Sequence, residues 1–530
     1  MRFRRLLATF PPRFAGVLVV FVATCLALSC FGCDRQPKIE RPNVLWILWD
    51  TVRSDRMSLY GYDKQTTPFL AEWSQEARVF DDCIAAANYT LPSHASMFTG
   101  LLPSEHGSRN GYPRLDSNFT TVAELFQDSG YRTFLYSANP HISERGGFAQ
   151  GFDLAEHPWI PKYRKRAIDI VAGKIVPEDK SSELPEKIRR AQLGPWDVKA
   201  SGELAQQATR EWLQGSDSDK PFFVFLNYME AHRPYIPPER YRQRVMTPKQ
   251  IPQSYAVERT FIRLWSYTFG LNEYTQDELD VMSATYDATL AELDDLLRNL
   301  LVTLEADGHL DNTIVVLASD HGEHLGEHHM MGHQYSLYNP LVCVPLVVHY
   351  PKRLAAGRDA RPVMNYDLFP TLLDLAGIAA PEGLRSTAVN LLSPLENRVR
   401  LAESLGPFTD PLQGIQSRHP AWDPTPWTRE LRALFDGEFK LIQYSDGERR
   451  LYRFRDDPEE LDDLTLRESV RSQEMAAAMV QYVEVLAAAS PSDEPLPEMT
   501  EEQRELLRSL GYVSTTSEPD SMPPDSTRSK

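Results

Sequence analysis

Asn43-Val44-Leu45-Trp46-Ile47-Leu48-Trp49-Asp50 sets six consecutive apolar residues in front of a carboxylate. An apolar run without polar alternation, closed by a polar residue, predicts a strand buried on both faces of a parallel sheet. Asp50 then stands at the carboxyl end of that strand, the edge at which open α/β sheets bind ligands. Taken alone, a strand-end Asp is as often a turn or a helix cap. Similar apolar runs recur at Thr133–Ser137, Phe222–Asn227, Thr313–Ala318 and Val344–His349, with helical patterns at Thr121–Ser129, Gly202–Gln214 and Asp277–Leu304. Strands alternating with helices of this length predict an α/β fold whose large mixed or parallel sheet is covered by helices on both faces.

Outward from that strand, Asp81–Ala87 leads into Asn88-Tyr89-Thr90-Leu91-Pro92-Ser93-His94 and on to Gly100. A hydroxyl residue two positions before Pro, with Gly closing the run, reads as a loop entering a helix at Pro92 and leaving it at Gly100. Thr90 would sit at the mouth of that helix, where unpaired N–H groups and the dipole favour an anion. Read in isolation, the same string is a helix cap.

The second informative stretch runs from Ala318 to His333 and holds five of the chain's 13 histidines. It follows the Thr313–Ala318 strand, so Asp320 and His321 fall at a strand end, as Asp50 does. Two carboxylates and one imidazole suit a hard or borderline divalent cation, and Asp50, Asp320 and His321 offer that set. A solvated polar loop is the competing reading. His324, His328 and His329 individually read as loop residues.

The chain has 530 residues, 42% apolar and 25% charged, enough to bury a large core in one large domain or two. Its net charge of −18 argues against a nucleic-acid-binding surface. Arg2, Arg4, Arg5 and Arg13 precede an uncharged run from Phe14 to Cys33, which predicts a signal sequence or membrane anchor over 1–33 and export to the periplasm or another extracytoplasmic compartment. Cys33 is a candidate for lipidation, and 34–41 reads as a linker. Only Cys83 and Cys343 remain for the folded body, so neither a disulfide framework nor a thiolate metal site can be built. One disulfide or two free thiols are both open.

Trp159–Pro195, rich in Lys, Arg and Pro, reads as a surface insertion without periodicity. From about Arg398 the pattern changes: Ala433–Ile442 reads as a hairpin turning at Asp436-Gly437, and Leu451–Phe454 as a further strand. The body is therefore divided into 42–397 and a smaller α+β subdomain over 398–515, with a Ser-, Pro- and Asp-rich tail at 516–530.

Taken together, LWDTVRSDRMSLYGYDKQTTPFL ending at Leu70, TLPSHASMFTG from Thr90, SDHGEHLGEH from Ser319, YDLFPTLLDLAGI from Tyr366 and the FDGEFKLIQY and LYRFRDDPEE strings near the end resemble the sulfatase family of the alkaline phosphatase superfamily. The resemblance implies one divalent cation, Ca2+ by family habit with Mn2+, Mg2+ or Zn2+ as alternatives, held by Asp50, Thr90, Asp320 and His321. It implies Thr90 as the nucleophile and His232, in NYMEAHRPY, as the residue that contacts the ester and assists the leaving group. His333, in MGHQ, would be a second contact to the anion. The implied partner is a small-molecule or glycan sulfate or phosphate ester.

Departures from the family pattern are as informative as the matches. The sulfatase signature is C/S-x-P-x-R, whose first residue is oxidised to formylglycine; here Thr90 and His94 occupy its first and last positions. Oxidation of threonine would give a ketone, so formylglycine is not expected. A formylglycine hydrate expels sulfate by collapsing to the aldehyde, which a threonine ester cannot do. A metal-bound threonine alkoxide is the device of phosphoryl transfer in the superfamily, so a phosphodiester or phosphonate hydrolase, or a phosphotransferase, is the alternative reading. A binding protein that kept the fold without activity is a third. The family's Lys-x-His pair is also absent; Asn139 or His141, in Ser137-Ala138-Asn139-Pro140-His141, is the candidate to stand in. Asp153 and His157 have the spacing of a second metal cluster, yet one metal is the expectation. The intact mass of the peptide carrying Thr90 should equal the encoded mass; a deficit there would reverse the argument against an oxidised nucleophile.

Overall fold

The structure is a computed structural model, and it describes residues 41–175, 194–215, 220–257, 261–394, 398–486 and 499–510. The export segment, nearly all of its linker, the tail at 516–530 and the part of the expected insertion at 176–193 lie outside the described residues.

Ten strands precede residue 398: β1 (Asn43–Trp49), β2 (Arg78–Ile84), β3 (Arg132–Ser137), β4 (Leu154–Glu156), β5 (Phe222–Tyr228), β6 (Thr313–Ala318), β7 (His324–Leu325), β8 (Met331–Gly332), β9 (Leu346–His349) and β10 (Gly357–Met364). Eight of them form one sheet in the order β10-β2-β9-β6-β1-β5-β3-β4, while β7 and β8 pair separately. β9 runs antiparallel to both its neighbours, β2 and β6, and every other pairing in the large sheet is parallel.

β1 lies between β5 and β6, and its alternate residues feed two separate layers. Val44, Trp46 and Leu48 enter a core with helices α1 (Thr90–Thr99) and, near the far end of the chain, Leu368–Ala376. Leu45, Ile47 and Trp49 enter a second core with α2 (Pro161–Ile175), α3 (Ser201–Gln214) and α4 (Gln276–Ala306). Burial on both faces is the reason the sequence of β1 shows no alternation.

The register aligns the strand ends that matter. Trp49 pairs with Tyr228 and Leu48 with Ala318, while Ser137 pairs with Asn227. The residues that follow β1, β3, β5 and β6 therefore emerge along one edge, which brings Asp50, Asn139, His232 and Asp320 toward a common point.

A second sheet, β11 (Arg400–Ser404), β12 (Leu431–Asp436), β13 (Phe439–Tyr444) and β14 (Arg449–Tyr452), is antiparallel throughout. Its hairpin turns after Asp436, as expected, with Gly437 at φ +62°. Leu434 and Leu441 of this sheet belong to the same apolar cluster as Val44 and Trp46.

Three expectations need correction. α1 begins at Thr90, with Tyr89 as its N-cap, two residues earlier than the position of Pro92 suggests. Residues 161–175, read from sequence as aperiodic loop, form helix α2; Tyr163, Ala167 and Val171 repeat at i, i+4, i+8 and are buried, a stripe hidden among Lys and Arg. β2 was not anticipated because Asp81 and Asp82 interrupt its apolar pattern; Arg400 neutralises Asp82 from β11 at 2.7 Å. Cys83 and Cys343 are both free thiols. No helix among the described residues is long and apolar enough to cross a membrane.

Gly100 ends α1 at φ +69°, and a Cβ there would lie 2.7 Å from Phe369 Cδ1. Gly100→Ala combines left-handed strain with overpacking and should cost about 2–4 kcal/mol in denaturant unfolding.

Candidate active site

Asp50 extends β1, and its backbone N–H donates to Tyr228 O at 2.9 Å, which fixes the side chain at the sheet edge. Its Oδ2 accepts from Asn139 Nδ2 at 2.8 Å, while the buried Oδ1 accepts no hydrogen bond. Asp320 Oδ1 accepts from Thr51 N at 3.2 Å and from His321 N at 2.9 Å; its Oδ2 is buried without a donor. Thr51 adopts φ +61°, a left-handed conformation unfavourable for a β-branched residue, and this turn aims its N–H at Asp320.

His321 Nδ1 donates to Gly322 O at 2.9 Å, leaving Nε2 as a lone pair 3.3 Å from Asp320 Oδ2. Asp50, Asp320 and His321 each place a ligand atom within 4.8 Å of the others, the one such group of His, Cys, Asp or Glu side chains among the described residues. Acceptors that face one another in a dry site without donors form an arrangement suited to a cation. Burial together with the Asp320 charge pushes the Asp50 carboxyl up to about 7. Burial pushes Asp320 to about 7 as well, against the hydrogen bonds from Thr51 and His321. Burial lowers His321 to about 4, so its ring is neutral, as a metal ligand must be.

Thr90 is the first residue of α1 and fully buried. Its Oγ1 lies 3.3 Å from His321 Nε2, to which the hydroxyl can donate, and accepts from Asn139 Nδ2 at 3.2 Å. Asn139 therefore bridges Asp50 and Thr90. Of the two residues considered for the missing Lys-x-His pair, Asn139 is the one whose side chain enters the site; His141 supports it by donating its backbone N–H to Asn139 Oδ1 at 3.0 Å. His94, one turn along α1, donates Nδ1–H to Thr90 O at 2.9 Å and is packed between Phe148 and Phe225. Burial lowers it to about 3, so it braces the helix without bringing the charge that an Arg would.

His232 and His333 stand beside this cluster, with ring centroids 5.1 Å apart, and His333 lies 4.5 Å from the His321 ring. His232 Nδ1 donates to Arg233 O at 2.7 Å, and burial holds the ring well below its usual range. A small cavity of about 10 Å³, room for about one water, is lined by His232, Arg233, Trp265, Glu323, Met331 and His333, among others. Glu323 was quoted in the sequence motif without a role; its Oε1 lies 3.5 Å from His333 Nδ1 and 3.7 Å from Arg233 Nε. Despite burial, these two partners hold the Glu323 carboxyl below its ordinary range.

The second metal cluster is not formed. Asp153 accepts from Gln127 Nε2 and Thr133 N, and His157 donates Nδ1–H to Ser137 O, so both are occupied in closing loops. His328 stacks on Tyr338 and His329 on Tyr267, outside the cluster, while His324 Nε2 lies 2.7 Å from Ser336 Oγ.

A large mixed sheet with carboxylates and histidines gathered at its carboxyl edge is the architecture of the alkaline phosphatase superfamily. The sulfatase family profile matches residues 42–378, more than half of the chain. The chain belongs to the sulfatase family and is a hydrolase acting on ester bonds. It is 24% identical to an N-acetylglucosamine-6-O-sulfatase of Bacteroides thetaiotaomicron, over 83% of this chain and 85% of that one. It is 25% identical to arylsulfatase K of Mus musculus, over 88% and 87% of the two chains. Among solved structures, the phosphonate monoester hydrolase of Agrobacterium radiobacter superposes with a TM-score of 0.64 at 23% identity, covering 83% of this chain and 95% of that one.

Two buried carboxyls raised from 3.8 to about 7 make the folded, cation-free protein bind more protons than the unfolded chain between those values. Stability is then lost as pH rises through that window. The buried neutral histidines contribute with the opposite sign over the same window, so the carboxyls are isolated by the cation: added Ca2+ should raise the melting temperature more at pH 7 than at pH 5, and Asp50→Asn should reduce that difference. A melting temperature indifferent to Ca2+ at pH 7 would argue against a cation at this site.

Proposed function

We propose that this chain hydrolyses a sulfate ester with Thr90 as the nucleophile, and the observation that carries the reading is the setting of Thr90 Oγ1 between Asn139 Nδ2 and His321 Nε2. Asp50, Asp320, His321 and Thr90 would hold one divalent cation. Such an ion, when bound, polarises the ester oxygens and lowers the pKa of a hydroxyl beside it. Calcium suits the oxygen-rich set, with Mn2+, Mg2+ or Zn2+ as alternatives.

The remaining work falls to the chain's own groups. Asn139 donates an N–H to Thr90 Oγ1 and so orients the hydroxyl; with the His321 Nε2 lone pair given to the cation, the Thr90 proton would leave to solvent. In-line attack forms the Thr90 Oγ1–S bond and breaks the bond from sulfur to the leaving oxygen, which takes a proton. His232 has its Nδ1–H committed to Arg233 O, so Nε2 is the atom that can deliver that proton. Burial keeps the empty-site ring neutral; an arriving anion supplies the negative charge that draws a proton onto it. His333, held by Glu323, offers a second contact to the anion. Water then hydrolyses the threonine ester, because a threonine ester has no aldehyde to collapse to.

The same site supports hydrolysis of a phosphodiester or phosphonate ester, and the threonine is the specific observation that favours it, since a covalent ester released by water is phosphoryl-transfer chemistry. The likeness to a phosphonate monoester hydrolase is of fold. The names of the relatives make glycan and aryl esters the compounds to assay first. The basic N-terminal residues and the apolar run behind them support export to an extracytoplasmic compartment.

Thr90→Ala and Asp320→Asn should each lower turnover by on the order of 10³-fold or more while unfolding stays cooperative. Parallel assays with aryl sulfate, aryl phosphate, bis-aryl phosphate and aryl phosphonate, with metal analysis of the same sample, decide the attacked atom. Retained activity in Thr90→Ala would remove the nucleophile assignment, and a fully metal-loaded protein inert to all four esters would favour a binding role.

A further inference from the structure

The loop that carries His232 is gripped from beneath by a buried ionic web that the reaction does not otherwise use. Lys199, in the turn of 3-10 helix Gly194–Ala200, donates Nζ to Met229 O at 2.6 Å and to His232 O. Lys174, in the last turn of α2, donates Nζ to Lys199 O at 2.5 Å and pairs with Glu292 Oε1 of α4 at 2.6 Å. Glu230, inside the same loop, accepts from Gly202 N at 2.9 Å and from Ser201 Oγ, and lies 3.8 Å from Lys174 Nζ. Ser201 Oγ in turn accepts from Met229 N at 2.8 Å.

All four ionic side chains are buried, Lys199 at 1% and Lys174 at 2% exposure. Two ammonium groups face two carboxylates, so the charges balance locally. Burying four charges stabilises a fold less than apolar residues of the same volume would, while such groups can define a single conformation. The conformation they define here is that of Met229–His232. His232 N also donates to Met229 O at 3.3 Å, so Lys199 contacts the carbonyls at both ends of that turn.

We propose that Lys199 is a positioning residue for His232: by holding the Met229 and His232 carbonyls it fixes the imidazole Nε2 at the leaving-group side of the site. This rests on the reading that His232 protonates the leaving oxygen. Burial draws the Lys199 amine down to about 7, with Glu230 opposing. Neutral or charged, the amine has at least two N–H groups, so both carbonyl contacts persist. α2 thereby gains a role in catalysis: through Lys174 it holds Lys199, although it lies on the outer layer of the fold.

The test compares Lys199→Met, His232→Ala and the double variant on aryl sulfates and bis-aryl phosphates of graded leaving-group pKa, reading kcat and KM separately at full metal occupancy. A displaced acid matters most for poor leaving groups. Lys199→Met should lower kcat by on the order of 30- to 100-fold for the poorest leaving group and by less than about 3-fold for the best, with KM changed less than about 3-fold. The double variant should be no slower than His232→Ala. A uniform loss across the series, or losses that multiply in the double variant, overturns the proposal and leaves Lys199 with a structural role. If His232→Ala itself shows no leaving-group dependence, the role of His232 fails and this proposal with it. If His232→Ala shows the dependence and Lys199→Met does not, the positioning role alone fails. Should Lys199→Met not fold, Lys174→Met removes the support of Lys199 and must show the same leaving-group dependence in weaker form, or the proposal is withdrawn.

Discussion

Everything at this site depends on a repulsion. Asp50 and Asp320 end adjacent strands, are fully buried, and each presents an oxygen with no donor toward the lone pair of His321. A protein interior relieves such a set either by protonation, toward which burial pushes both carboxyls, or by a compensating positive charge, since each unpaired buried carboxylate costs several kcal/mol. The parallel register of β5-β1-β6 forces the carboxylates together, and the unfavourable turn at Thr51 is retained because it supplies one of the few N–H donors that Asp320 has. The strand ends are thus arranged as a cation would require.

The threonine and His94 act on that field together. An arginine at position 94 would lend a permanent charge; the neutral imidazole lends only a hydrogen bond to the backbone of Thr90. On the opposite wall the Arg233 charge is offset by the Glu323 carboxylate, so among these groups the mouth of α1 is what remains favourable to an anion.

Local pattern made most of this legible. β1, β5 and β6 stand out as apolar runs, and Asp320-His321 stands out through histidine density, because strand ends and clustered ligands leave compact signals in sequence. What was not legible depends on contacts far apart in the chain. Asn139 was one of two candidates until the register of β3 against β5 placed its amide between Asp50 and Thr90. α2 was hidden because its buried stripe is narrow and its exposed face is dense in Lys and Arg. Lys174 fell in the stretch read as a surface insertion and nothing singled out Lys199, since lysine is almost never buried unless paired and their partners lie 30 to 118 positions away. Glu323 sat in a quoted motif, but only its distance to His333 gives it a purpose.

The ten residues of α1, from Thr90 to Thr99, are all buried, and the helix meets core on every side. A helix so enclosed can open only when much of the domain opens with it, so its amide protons belong among the slowest to exchange with solvent. Thr90, the first residue of this helix, is therefore held by the domain as a whole. The facing wall is assembled from shorter pieces, strands β7 and β8 and helix Phe261–Thr268. Thr90 is thus set by the domain as a whole, while the facing wall can be altered piece by piece.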